Sequence, residues 1–125
     1  MKGKIMLVLS VLLGLMMINS GLNKIFEYMP PPEFSEEVGN LFSAFMASGW
    51  VMPLIAVAEI VGGVLLIPNK TRALGAIVLL PVVLGIFCFH LVQDPSTIAV
   101  AIVILAINVW VIVDNKHKYM PMLQA

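Results

Sequence analysis

Ala56–Arg72 reads A-V-A-E-I-V-G-G-V-L-L-I-P-N-K-T-R, and this stretch decides the fold. One carboxylate, Glu59, stands inside an apolar run. Gly62 and Gly63 follow one helical turn on, and a short polar turn then carries Lys70 and Arg72. In a water-soluble helix Glu59 would turn to solvent. In a membrane helix a charge costs about 2.5–3.5 kcal/mol on insertion scales, so it calls for a partner or a function.

The composition selects the membrane case. Of the 125 residues 61% are hydrophobic and 11% charged, where soluble domains carry about 25% charge. The length suits a single domain spanning 1–125. Zero net charge argues against a nucleic-acid partner. Cys88 is the only cysteine, which excludes an internal disulfide, a Cys-x-x-Cys pair and a thiolate metal cluster within one chain. Lying in G-I-F-C-F-H, it reads as a small buried hydrophobe.

Four apolar segments have the length of membrane spans, at about 5–26, 50–67, 73–92 and 97–113. The first resembles a secretory signal in its basic start, but bulky Ile18 precedes Asn19-Ser20, a poor cleavage context. The apolar pattern continues to Phe26, giving about 33 Å of helix, so the segment is read as a retained span. Pro30-Pro31-Pro32 stops it. Between about 33 and 48, Phe34, Val38, Leu41, Phe42 and Phe45 recur at helical spacing, which predicts an amphipathic helix on the membrane surface or capping the bundle. Pro81 is expected to kink the third span or to free one of its carbonyls. Asp114–Ala125 reads as a polar tail. Short connections predict an all-α, up-down four-helix integral membrane bundle.

Charge orients it. Lys2, Lys4, Lys70, Arg72, Lys116 and Lys118 fall on one side of a four-span arrangement, and only Lys24 falls near the other. The positive-inside rule then places both termini and the Lys70–Arg72 turn in the cytoplasm of a multi-pass inner-membrane protein.

Two polar levels stand out. Glu59 lies about 14 Å below Trp50, and Asn108 about 16 Å below Thr97, so both are expected to face the interior at one depth with the Asn108 amide as donor. Nearer the outer face, Asn19, Ser20, Asn23 and Lys24 stack on the first span, and His90 closes the third. Lys24 and His90 are read either as interfacial residues or, with Glu59, as lining a cavity open to the outside. Ser10–Gly14 and Ala58–Gly62 are small-xxx-small pairs, so Gly14, Ala58, Gly62 and Gly63 are read as helix-packing positions. No catalytic or metal-site motif is present.

S-G-L-N-K-I-F (Ser20–Phe26), G-W-V-M-P (Gly49–Pro53), A-E-I-V-G-G-V-L-L-I (Ala58–Ile67) and K-T-R-A-L-G-A (Lys70–Ala76) together resemble the DoxX-like family of small four-helix membrane proteins. By that resemblance Lys24, Glu59, Gly62, Gly63 and Arg72 fall on the family's recurrent positions. The family implies roles as small subunits of a thiosulfate:quinone oxidoreductase, in redox stress responses or, among distant relatives, in receptor assembly. The lack of a cysteine pair departs from relatives that use dithiol chemistry.

Three functions follow as expectations. The first is a non-catalytic accessory or assembly subunit, with the lipid bilayer and a membrane-protein partner or second copy as its contacts. The second is a quinone-binding redox component using Glu59 for proton exchange, with quinone as the candidate cofactor. The third is a small transporter or channel.

Overall fold

The computed structural model describes residues 2–29 and 35–123. The Pro30–Pro32 stop and Phe34 lie outside the described residues. Six α-helices follow in order: α1 (Lys2–Phe26), α2 (Glu36–Ser48), α3 (Val51–Leu66), α4 (Arg72–Val92), α5 (Ile98–Asp114) and α6 (Lys116–Tyr119). Single 3₁₀ turns cover Pro95–Thr97 and Met120–Leu123, and no strand occurs among the described residues. Three helices are long and apolar enough to cross a membrane, or four spans if α2 and α3 form one broken span bent by 91°.

The principal packing partners are α1 with α3, α3 with α4, and α4 with α5, while α5 returns more loosely to α1. α3 and α5 are therefore not principal neighbours. Leu13, Met17, Leu66, Leu79, Val83 and Val111 fill the centre. Large apolar side chains such as Leu12, Leu54, Val64 and Val103 cover the outside, as expected where the surroundings are hydrocarbon.

Glycines set how closely the helices approach. A Cβ on Gly63 would lie 2.6 Å from the Gly14 carbonyl oxygen, and one on Gly21 would lie 2.6 Å from that of Ala56. On the other side of α3, a Cβ on Gly62 would lie 2.5 Å from Leu79 Cγ, and one on Gly75 would meet the backbone of Leu66 at 2.6 Å. The adjacent pair Gly62-Gly63 thus thins α3 toward both neighbours at once. Ala58, expected in this seam, is only half-buried, whereas Ala56 is fully buried.

The helix ends are closed by local chemistry. Glu27 enters the left-handed region at φ 52° and ends α1, its N–H donating to Asn23 O at 2.7 Å. Ser35 caps α2 by accepting from the Val38 N–H at 3.3 Å. Gly49, at φ 78°, ends α2 where a side chain would be strained. The buried and half-buried face of α2 is Val38, Leu41, Phe42 and Phe45, and the Phe42 ring rests on Phe89 of α4 at 5.4 Å. α4 runs unbroken through Pro81.

Two expectations change. Cys88 is exposed on α4, because it lies five positions from buried Val83 and so on a different helical face. The C-terminal segment is helical at Lys116–Tyr119 and tied down: the Tyr119 hydroxyl donates to Ala73 O at 2.6 Å.

Candidate functional site

The polar interior begins on α3. Glu59 is 1% exposed, and the Lys24 ammonium on α1, 22% exposed, lies 2.6 Å from its Oε1. This is a close ion pair between two helices, and it compensates the charge of the carboxylate. Lys24 also donates to Ser20 Oγ at 2.8 Å, one turn back along α1. Ser20 and Lys24 thus act together on Glu59, and the contact joins two helices that already touch through Gly14–Gly63 and Gly21–Ala56.

Asn108 does not join this group. It is fully buried on α5, and its Nδ2 donates to Ala76 O of α4 at 3.2 Å, while its Oδ1 lacks a hydrogen-bond partner. The acceptor is next in sequence to Ile77, whose carbonyl Pro81 cannot engage. The close contact of Gly75 with Leu66 and Leu65 sets Ala76 about level with Leu65. Leu65 and Glu59 differ by six positions, or about 9 Å of rise. The expected Glu59–Asn108 pair is therefore not formed: the two residues sit at different levels on helices that are not principal neighbours.

The outer polar residues divide into separate tasks. The Tyr28 hydroxyl donates to both the backbone and side-chain oxygens of Asn19, and the Met29 N–H donates to Asn23 Oδ1 at 2.9 Å. Asn19 and Asn23 thereby fold the segment after α1 back along the helix. His90 belongs to the α4–α5 turn, where its Nδ1 is 2.6 Å from Thr97 Oγ1, which in turn donates to Asp94 Oδ2 at 2.9 Å. With the threonine proton committed to the carboxylate, Nδ1 is the donor to Thr97. Hydrogen bonds from Ser96 and then Thr97 hold the Asp94 carboxyl below its ordinary range.

Arg72 has a role beyond charge. It is buried, with Nε donating to Leu66 O at 3.0 Å, Nη2 to Ile67 O at 2.7 Å and Nη1 to Asn69 Oδ1 at 3.3 Å. The Thr71 hydroxyl takes Leu65 O at 2.7 Å. Three successive carbonyls at the end of α3 are thus satisfied from one turn, with a cation at the negative end of the helix dipole. A basic residue just beyond a helix end is a signal for this role that sequence reading could have used. The anchoring Tyr119 has no such signal. Lys70 is exposed in the same turn. No group of three or more potential metal ligands occurs among the described residues.

Two surface hollows run along α1, one beside Lys4 and Val8 and one between Leu12 and Val103 of α5. Glu59, Asn108 and His90 line neither.

Three apolar helices of spanning length, one of them tied to α3 by the Lys24–Glu59 ion pair, define a polytopic helical membrane protein. The DoxX family model matches residues 5–91, and the chain belongs to the DoxX family. No curated protein and no solved structure matches the chain.

Proposed function

We propose that this chain is a non-catalytic accessory or assembly subunit of a membrane complex, with a redox-linked setting. The observation that carries the reading is the Lys24–Glu59 contact: the intramembrane carboxylate is compensated within the fold, by a residue of the adjacent helix. A buried acid used in this way joins helices rather than meeting a substrate. The reading includes a single domain over 1–125 and an up-down arrangement of α1, α3, α4 and α5. It places α2 in the interface of the inner membrane and both termini in the cytoplasm. The clustering of Lys4, Lys70, Lys116 and Lys118 supports that orientation.

A quinone-linked role is the second reading, favoured by the partial exposure of Lys24, which gives the buried carboxylate a route for protons. Purification from native membranes in mild detergent, followed by mass spectrometry, decides between them. A stoichiometric partner subunit that is retained by the Glu59→Gln variant is the expected result. A bound quinone lost in Glu59→Gln, with no partner subunit, overturns it in favour of the second reading.

A further inference from the structure

The seam between α1 and α5 is the loosest of the bundle, and it is hollow. Leu9, Leu12 and Met16 form one wall and Val100, Val103 and Ile107 the other, around about 400 Å³ of space. The accessible lining is almost wholly apolar. At Leu9 this groove meets a second hollow of about 250 Å³, whose far end is Lys4. The joined groove therefore follows α1 from a cation to Met16, about 18 Å at 1.5 Å per residue.

We propose that this groove binds one acyl chain of an anionic phospholipid, with the headgroup phosphate beside Lys4. Two features select this occupant. The first is length: a leaflet of a bilayer with a hydrocarbon core of about 30 Å is about 15 Å deep, which the groove's α1 wall matches. The second is charge. Lys4 is exposed and has no ion-pair partner among the described residues. A cationic mouth above an apolar groove complements a phosphodiester above a hydrocarbon chain.

The test is native mass spectrometry of the whole chain in mild detergent, titrated with phosphatidylglycerol or phosphatidylcholine of identical chains. One phosphatidylglycerol per chain should be retained, at least about fivefold more tightly than phosphatidylcholine. Lys4→Gln should lower that preference about fivefold. Val103→Trp, which fills the groove, should lose retention of both lipids. Single-chain lysophosphatidylglycerol should bind the unaltered protein as the two-chain lipid does, a measurement that carries the test if Val103→Trp does not fold. Equal retention of the two lipids, or unchanged retention in a folded Val103→Trp, overturns the proposal. So does a dimer that Val103→Trp disrupts, which would make a second copy the occupant. A retained quinone indifferent to Lys4→Gln overturns it as well.

Discussion

Lys24 and Glu59 stand on different helices, and the ammonium of the first lies 2.6 Å from Oε1 of the second. Lys24 leaves α1 near the helix end, is steadied by Ser20, and meets a carboxylate that is 1% exposed. The arrangement joins α1 to α3 by charge where the glycines already join them by shape.

Breaking this pair from one side should cost far more than removing it whole. Lys24→Met leaves a buried carboxylate uncompensated, for which the expected loss is about 3–5 kcal/mol. The double variant Lys24→Met/Glu59→Leu removes both charges and should recover most of that loss. Reversible unfolding in mixed micelles measures both. A double variant no more stable than Lys24→Met would show that the pair does not set the cost.

The glycines of α3 and α4 should respond in opposite directions to the same added methyl. Gly63→Ala drives a Cβ to within 2.6 Å of the Gly14 carbonyl, a backbone atom that cannot yield cheaply, and should destabilise by about 1–3 kcal/mol. At Gly85 nothing lies within 4 Å of an added Cβ, so Gly85→Ala should stabilise α4 by up to about 1 kcal/mol. Thermal unfolding of the two variants side by side checks the contrast.

Arg72→Lys separates the charge of this residue from its geometry. The substitution keeps a cation in the turn, so the orientation of the chain in the membrane should not change. It loses the planar fork that reaches Leu66 O, Ile67 O and Asn69 at once, and stability should fall by about 2 kcal/mol. Reporter fusions read the orientation and unfolding reads the stability. An orientation change without a stability change would contradict the capping role.

Tyr119 offers a pH-dependent contact outside the spans. Burial raises its hydroxyl above the ordinary 10.0, so the folded state favours the neutral phenol that donates to Ala73 O. The sign follows: this contribution is complete below pH 10.0 and is lost as pH rises through the higher folded value. Tyr119→Phe should lose about 0.5–1.5 kcal/mol at neutral pH and should lack the alkaline loss. Amide exchange of the Lys116–Leu123 segment against pH reports it.

Much of this protein is legible in its sequence. Spanning helices follow from runs of apolar residues long enough to satisfy their own backbone, a local property that adds up along the chain. The burial of Glu59, the amphipathic face of α2 at Val38 and Phe42, and the close approach at Gly62 and Gly63 follow from the same periodicity. What each buried polar group meets does not. Depth along the chain places Glu59 beside Asn108 only if all helices are level and all interior faces equivalent. The tertiary structure decided otherwise through contacts between distant segments. Gly14 against Gly63 and Gly75 against Leu66 set the register of α1, α3 and α4. That register brings Lys24 to Glu59 and leaves Asn108 about 9 Å away in level, with Ala76 as its acceptor. Helix rotation and register are properties of pairs of surfaces, and no single stretch of sequence contains them.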